Sequence, residues 1–298
     1  MKIFKRETYS KKNINLYILR HLFIKFSRFI PAKLYLICVY WLKNGEYLNL
    51  HSPKTFNEKL NWLKLYNHNP LYSIMADKYR VKEYVKNTIG SEFVVPQYGV
   101  WEKFEDIDFN KLPQQFVLKA NHDSSGAIVC LEKCTFDYIV LNAHFKKLLN
   151  RNYYYFLKEW PYKNIKRRII AEMFLTDGTG TELRDYKFLC FSGKPVYMYC
   201  TNKGEYIREN FYDMDFNPVN ISHGYDKIET PIEKPSGFET MKLLATKLSN
   251  NIPFIRIDFF QINDKVYFSE FTFYDWGGMK PFTDKNWEQK LGELIILH

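Results

Sequence analysis

Residues 256–272 read Arg256-Ile-Asp-Phe-Phe-Gln-Ile-Asn-Asp-Lys-Val-Tyr-Phe-Ser-Glu-Phe-Thr272. Two runs rich in aromatic and β-branched residues flank the turn-forming pair Asn263-Asp264, which is typical of a β-hairpin. We therefore predict two antiparallel strands, over residues 254–261 and 266–273. This hairpin is the most informative stretch of the chain, because it carries charged residues among apolar ones.

Three charged residues of the hairpin should lie together. Side chains alternate between the faces of a strand, so Arg256 and Asp258 share a face, and Glu270 can be their neighbour across the hairpin. A carboxylate among apolar neighbours is costly unless it is paired or binds a cation. Two such carboxylates could supply oxygen ligands to Mg²⁺, and Arg256 could contact a phosphate. The alternative is a solvent-facing strand edge with scattered charges.

Two further segments could contact a nucleotide. A strand over 116–119 ends in Lys119 and enters the polar loop 121–126, whose backbone N–H groups could bind phosphates. This loop is not a Walker loop, because it lacks the Gly-Lys-Ser/Thr ending. Asp185 and Lys187 are two residues apart in a predicted strand and share a face. They could hold a ribose and a phosphate, or form an exposed ion pair of little energetic value.

The rest of the chain predicts an α+β fold with antiparallel hairpins and no βαβ series. Thr55 and Glu58 fit a capping box at the start of a helix. Further helices are predicted over 77–85, 136–149 and 238–248. Further strands are predicted over 94–96, 169–175, 186–191 and 195–200.

Composition and charge limit the function classes. The chain is 46% hydrophobic and contains 25 Phe and 23 Tyr, so it should be globular. We expect no membrane-spanning helix and no secretory signal, since charges interrupt every long apolar run. The five cysteines lack metal-ligand spacing and suggest free thiols in a reducing cytosol.

The positive charge is concentrated at the N-terminus. The net charge is +10, and residues 1–33 contain nine Lys or Arg and a single acid, Glu7. Because no basic stripe continues into the body, we do not expect a nucleic-acid partner. Residues 14–30 predict an amphipathic basic helix. It could lie on the anionic inner face of the plasma membrane, or it could pack on the domain body.

Taken in order, several segments resemble the ATP-grasp superfamily, and most closely its TupA-like branch, which is associated with teichuronopeptide and other surface-polysaccharide synthesis. The resemblance spans roughly residues 50–295. It is carried by the segments 53–64, 76–79, 116–126, 152–164, 185–195, 210–213 and 256–272.

The resemblance implies two α+β subdomains with antiparallel sheets that grip ATP. It divides the chain into a basic helical segment at 1–50, a helical lead-in with the first subdomain at 51–168, and a second subdomain with the metal site at 169–298. The implied nucleotide-binding residues are Lys78, Lys119, Ser124, Ser125, Gly126, Glu172, Met173, Phe174, Leu175, Asp185 and Lys187. The implied residues around the reacting phosphates are Lys187, Arg208 and Arg256, and the implied Mg²⁺ ligands are Asp258, Glu270 and Thr272. Thr272 stands where many relatives have Asn.

The implied reaction joins a carboxylate to an amine through an acyl phosphate, with release of ADP. The partners would be a carboxylate-bearing saccharide or sugar nucleotide and an amine, in capsule or cell-envelope synthesis. The rival hypothesis is a glycosyltransferase that uses Asp213 and Asp215, which have the acid-x-acid form of a nucleotide-sugar site. We expect Asp258→Asn and Glu270→Gln to abolish ATP turnover and to leave the fold intact.

Overall fold

The computed structural model describes residues 23–124, 126–178, 183–202, 206–230 and 232–297. The helices are α1 Ala32–Asn44, α2 Phe56–Tyr66, α3 Pro70–Ala76, α4 Val81–Ile89, α5 Tyr138–Leu149, α6 Tyr154–Leu157, α7 Phe238–Leu248 and α8 Lys285–Leu294. The strands are β1 Gln97–Trp101, β2 Phe116–Ala120, β3 Ile128–Cys130, β4 Ile169–Met173, β5 Tyr186–Phe191, β6 Lys194–Asn202, β7 Arg208–Tyr212, β8 Pro218–Val219, β9 Phe254–Ile262 and β10 Lys265–Thr272.

The larger sheet has six strands in the order β10-β9-β5-β6-β7-β8, all antiparallel to their neighbours. The main hydrophobic core lies against this sheet and includes buried residues of α2, α4, α7 and α8. The predicted hairpin forms β9 and β10, and Asp258 faces Glu270 across it. A β-bulge between Phe268 and Glu270 shifts the register of β10 directly before this pair.

The smaller sheet has four strands in the order β1-β4-β2-β3 and a hydrophobic core of its own. Helix α5 covers it through Leu141, Phe145 and Leu148, which repeat at the spacing of one helix face. Strand β4 lies between β1 and β2. The smaller sheet therefore includes Ile169–Met173, which the resemblance assigned to the second subdomain.

The element predictions differ from the structure mainly at boundaries. The capping box of Thr55 and Glu58 is present at the start of α2. The strand predicted over 94–96 is wrong, because Val94 forms only an isolated bridge with Phe268 and β1 begins at Gln97. The helix predicted from residue 77 begins only at Val81. In the turn before it, the Asp77 carboxylate accepts a hydrogen bond from the backbone N–H of Tyr79.

The N-terminal region is described only in part. Residues 14–22 of the predicted amphipathic helix lie outside the described residues. Residues Ser27–Phe29 form a short 3-10 turn, and α1 follows after Pro31. Within the described ranges, no helix is both long enough and apolar enough to cross a bilayer.

Candidate active site

A cleft of about 520 Å³ lies between the two sheets. The smaller sheet contributes Lys119 and Glu172 to its wall, and β10 of the larger sheet contributes Glu270. Asp185, directly before β5, also lines it. This volume is within the range of small-molecule and cofactor sites. Predicted residues from both sheets therefore line one cavity, although Lys187, Arg256 and Asp258 are not among its described lining residues.

A buried ionic cluster centred on Asp258 lies at the larger-sheet side of the cleft. Arg256 donates to both oxygens of Asp258, from Nε at 2.7 Å and from Nη2 at 2.8 Å. Lys187, on the neighbouring strand β5, donates to Oδ2 of Asp258 at 2.7 Å. Lys187 Nζ also lies 3.3 Å from Asp185 Oδ2. The predicted shared face is confirmed for both pairs, and the alternative of an exposed strand edge is wrong.

The cluster is ionised at neutral pH. Burial alone would raise the pKa of Asp258, but the charges of Arg256 and Lys187 outweigh it and lower that pKa. Burial would lower the pKa of Lys187, but Asp258 and then Asp185 outweigh it and raise that pKa. The buried charges thus stabilise each other, as buried ions require.

Glu270 is the accessible carboxylate of the hairpin. Its side chain is 34% exposed, and its Oε1 accepts from Arg256 Nη2 at 3.2 Å. Its Oε2 lies 3.9 Å from Lys78 Nζ. Thr272 follows on β10, where it pairs with Arg256 in the register.

The donor set fits Mg²⁺ held jointly with a phosphate. Within the described ranges, no three acidic, His or Cys side chains are grouped so as to hold a metal alone. Mg²⁺ commonly takes one or two carboxylates and completes its shell with phosphate oxygens and water. Asp258 and Glu270 supply these carboxylates. Asp258 already accepts three bonds from cations, so Glu270 is the more available ligand.

Glu172 organises the opposite wall of the cleft. It is buried, and its two carboxylate oxygens lie 2.7 Å from Lys119 Nζ and 2.8 Å from Lys82 Nζ. Burial would raise the pKa of Glu172, but the two lysines lower it. Burial lowers the pKa of Lys82 although Glu172 opposes it. We assign both groups as charged, because the carboxylate has two ammonium partners at bonding distance.

The loop after β2 is held by Lys78 and lies at the cleft wall. Lys78 Nζ donates to the carbonyl oxygen of Asp123 at 2.7 Å. Ser124 lines the cleft, and its hydroxyl lies 2.6 Å from that of Tyr153. Ser125 is outside the described residues, and Gly126 has a φ of +95°, which favours glycine.

The edge that follows β4 carries three of the predicted nucleotide-binding residues. Met173 ends β4, and Phe174 and Leu175 continue along the cleft wall. Asp185 is 7% exposed and lies at the same cleft. The structure thus places these four predicted nucleotide-binding residues along one cavity.

Three predicted residues, Arg208, Asp213 and Asp215, lie away from both the cleft lining and the Asp258 cluster. Arg208, on β7, forms an ion pair with Glu229 at 2.7 Å, and this is its described side-chain partner. Asp213 accepts bonds from the backbone N–H groups of Asp215 and Asn217 and thus stabilises a local turn. None of these residues is among those described as lining the cleft.

The sequence did not predict a second layer of buried polar residues behind Arg256. Arg256 Nη1 donates to Asp275 Oδ1 at 2.7 Å, and the Tyr199 hydroxyl donates to the same oxygen at 2.9 Å. His223 Nδ1 is 3.0 Å from Glu209 Oε2, and its Nε2 is 3.6 Å from Asp275 Oδ2. The sequence signal for this layer was Asp275, which lies between Tyr274 and Trp276. A buried carboxylate among aromatic residues requires a charged or hydrogen-bonding partner.

Comparison with known proteins identifies the family to which this chain belongs. Residues 58–296 match the family model described as TupA-like ATPgrasp. Since the match covers most of the chain, this protein belongs to the TupA-like ATP-grasp family. The ATP-grasp fold that the resemblance implied is thereby confirmed, with helices and antiparallel sheets as predicted.

Similar solved structures include D-alanine–D-alanine ligases. The enzyme from Bacillus anthracis is 18% identical, with 74% of this chain and 66% of that chain covered and a TM-score of 0.43. Its complex with ATP is 15% identical, with 74% and 63% covered and a TM-score of 0.42. The Helicobacter pylori enzyme is 19% identical, with 81% and 69% covered and a TM-score of 0.45.

This chain spans about two thirds of the length of each of these ligases. Similar solved structures also include ATP-grasp ligases in complex with ATP and with Mg and ADP. A comparison with curated proteins gave no significant match.

Proposed function

We propose that this protein is an ATP- and Mg²⁺-dependent carboxylate–amine ligase that forms an amide through an acyl phosphate. The observation that carries the proposal is a cleft lined by Lys78 and Lys119 on one side and by the accessible carboxylate of Glu270 on the other. Glu270 contacts Arg256 of the buried Asp258 cluster, which lies directly behind it. Such a site neutralises and positions phosphates, which is most of what phosphoryl transfer requires of a protein.

Each wall has a distinct task in this mechanism. Lys78 and Lys119 bind phosphate oxygens from the side of the smaller sheet. Lys187 and Arg256, fixed by Asp258, offset negative charge as the phosphoryl group moves. Asp258 and Glu270 would hold Mg²⁺, which would neutralise negative charge on the phosphate oxygens.

The chemistry needs no protein nucleophile. The oxygen of the substrate carboxylate attacks the γ-phosphorus, and the bond to the β-phosphate oxygen breaks to release ADP. The amine nitrogen then attacks the acyl carbon, phosphate leaves, and the nitrogen loses a proton. Carboxylate activation is needed because phosphate is a far better leaving group than oxide.

We propose a saccharide carboxylate, such as a uronic acid, as the acid substrate. The support is the family assignment, because the TupA-like branch resembles enzymes of surface-polysaccharide synthesis.

Trapping with hydroxylamine tests the reaction. Protein would be incubated with ATP, Mg²⁺ and either glucuronic acid or UDP-glucuronic acid, with hydroxylamine in place of the amine. We expect a hydroxamate and an equal amount of ADP, both lost in Glu270→Gln and retained in the control Glu239→Gln, an exposed acid on α7. Release of AMP and pyrophosphate would contradict the proposal. Sugar transfer without ATP consumption would favour the glycosyltransferase that uses Asp213 and Asp215.

We further propose that the protein docks on anionic membranes through the surface formed by residues 25–43. Four apolar side chains here are strongly exposed, namely Phe29 at 68%, Trp41 at 55%, Leu34 at 54% and Phe26 at 49%. Leu34 and Trp41 are seven residues apart and lie on one face of α1. Residues 23–45 contain four Lys or Arg and no acid. Exposed aromatic groups beside a cluster of basic residues suit an anionic lipid surface.

Vesicle sedimentation tests the docking surface. The full chain should bind phosphatidylserine-containing vesicles, bind pure phosphatidylcholine weakly, and be released by salt. Leu34→Ser with Trp41→Ser should weaken binding, whereas Leu243→Ser, at an equally exposed position on α7, should not. Equal sedimentation of all variants would exclude this surface.

A further inference from the structure

Helix α2 buries a polar stripe. Asn57, Asn61 and Lys64 follow the i, i+4, i+7 spacing of one helix face and are 0%, 0% and 2% exposed. They belong to the segment 53–64 that the family resemblance singled out, yet none of them is described as lining the cleft. Polar groups so deeply buried are costly unless they find partners.

The stripe binds the backbone that follows β10. All three side chains donate to carbonyl oxygens within residues 277–280, a segment more than two hundred residues away in sequence. The bonds join Lys64 Nζ to Gly277 O at 2.5 Å, Asn61 Nδ2 to Gly278 O at 2.6 Å, and Asn57 Nδ2 to Lys280 O at 3.2 Å.

The segment that receives these bonds has an unusual backbone. Trp276, Gly277 and Gly278 have consecutive φ values of +48°, +63° and +60°. Left-handed backbone is unfavourable for a bulky L-residue such as tryptophan and persists only where the surroundings impose it. A Cβ on Gly278 would lie 3.0 Å from Asn61 Nδ2, so stripe and turn fit closely.

The turn fixes the residue directly before it, Asp275. This carboxylate is buried and binds Arg256 Nη1 at 2.7 Å. The turn follows β10 closely, so its conformation determines where Asp275 lies relative to the guanidinium. Arg256 is the group to which the proposed mechanism assigns charge neutralisation.

We propose that Asn57, Asn61 and Lys64 are positioning residues that hold the left-handed turn and, through Asp275, orient Arg256 for the reaction. The catalytic part of this inference rests on the proposed function; the structural part does not. Among the described residues that line the nucleotide cleft, none belongs to 275–280. Loss of the stripe should therefore reduce turnover without reducing nucleotide affinity.

Fluorine NMR of full-length protein labelled with 5-fluorotryptophan tests the structural part. The chain has six tryptophans, and Trp276 would be identified by the signal missing in Trp276→Phe. Asn61→Ala and Lys64→Met should shift or broaden this signal. Matched truncations on the exposed face of α4, Asn87→Ala and Lys86→Met, should leave it unchanged.

A second pair of variants approaches the contact from the turn. Gly278→Ala and Gly45→Ala both place a side chain at a left-handed glycine, but only position 278 meets the stripe. Gly278→Ala should reproduce the Trp276 shift, and Gly45→Ala should not. If Asn61→Ala does not fold, this pair of variants still tests whether the stripe holds the turn.

Calorimetry with Mg·ADP and the hydroxamate assay test the catalytic part. Lys64→Met should keep its Mg·ADP affinity within about twofold, while turnover falls by about tenfold to a hundredfold, the range expected for a small misplacement of a catalytic group. Lys64→Arg, which retains a donor, should recover part of the turnover.

Two results would overturn the inference. One is an unchanged Trp276 signal in folded Asn61→Ala and Lys64→Met. The other is a parallel loss of Mg·ADP affinity and turnover, which would indicate general destabilisation. If the unmodified protein bound no Mg·ADP, the proposed function would fail, and the Trp276 signal would still decide whether the stripe holds the turn.

Discussion

Replacing Asp258 by asparagine should destabilise the folded protein as well as abolish activity. Asp258 is 1% exposed and accepts three bonds from Arg256 and Lys187. Removing one partner of a buried ion pair costs about 3–5 kcal/mol, because charge is left uncompensated. We expect the lower end, since Arg256 retains Asp275 and Lys187 retains Asp185. This adds an expected stability cost to the sequence-based prediction that the substitution abolishes turnover and leaves the fold intact.

Thermal and urea unfolding measure this loss. A cost near 3 kcal/mol corresponds to a fall in melting temperature of about 6–12 °C, at roughly 2–4 °C per kcal/mol. Glu270→Gln is the matched control, because its carboxylate is one-third exposed and its contacts with Arg256 and Lys78 are 3.2 and 3.9 Å long. It should cost less than about 1 kcal/mol.

The two variants together separate stability from catalysis. Both should lose hydroxamate formation, and only Asp258→Asn should unfold markedly earlier. If Asp258→Asn were as stable as the unmodified protein, the ionic cluster would not have the energetic role that its burial implies. If Glu270→Gln retained full turnover, the assignment of Glu270 to Mg²⁺ would be wrong.

Three further predictions follow from individual side chains. Lys119→Ala should weaken Mg·ADP binding by about 1.5–3 kcal/mol in a calorimetric titration, which is the value of a charge-assisted contact. The exposed control Lys86→Ala should leave the affinity unchanged. If Lys119→Ala bound Mg·ADP as tightly as the unmodified protein, Lys119 would be a purely structural partner. The folded-state pKa of Glu172 is lowered, so its ionic contribution is present above the unfolded pKa of about 4.3 and lost as pH falls through the folded value. The free energy of unfolding by urea should thus decrease less steeply between neutral and acid pH in Glu172→Gln, and identical slopes would contradict this. Burial raises the pKa of Cys190 to about 12, whereas Cys134 is exposed, so Ellman's reagent should label Cys134 in the native protein and Cys190 only on unfolding.

The local pattern was sufficient to predict the hairpin and the position of its turn at Asn263-Asp264. The register that this turn sets would pair Asp258 with Ser269, and the β-bulge brings Glu270 opposite Asp258 instead. Alternation placed Arg256 beside Asp258. The bulge between Phe268 and Glu270 was not predicted, because no residue of the local pattern marks its position.

Partners that are distant in sequence were missed. Lys82 and Glu172 belong to different elements, and neither local pattern indicates that they meet. Tyr199 lies in an apolar strand, where its hydroxyl gives no sign that it binds Asp275. The role of each polar group depends on which strand or helix packs next to it, and local periodicity contains no such information.

The polar stripe on α2 also could not be interpreted from local periodicity alone. Asn57, Asn61 and Lys64 interrupt the apolar pattern of the helix, which suggests a solvent-exposed face. They are buried instead, because the turn after β10 presents carbonyl oxygens to them. The family resemblance identified the segment, but its physical role required the coordinates.

The packing of α2 against α8 has a consequence for synthesis of the chain. The backbone N–H of Asn57 donates to Glu288 Oε2 across 231 residues, and Lys59 Nζ donates to the carbonyl oxygen of Ile295 across 236 residues. At about 5–20 residues per second, roughly ten to fifty seconds separate the emergence of these partners from a ribosome. During that interval the nascent helix α2 carries both an uncovered apolar face and unpaired polar groups. Helix α2 is thus synthesised early, but its contacts with α8 form late. We expect chaperones that recognise exposed apolar segments to bind the nascent chain at α2.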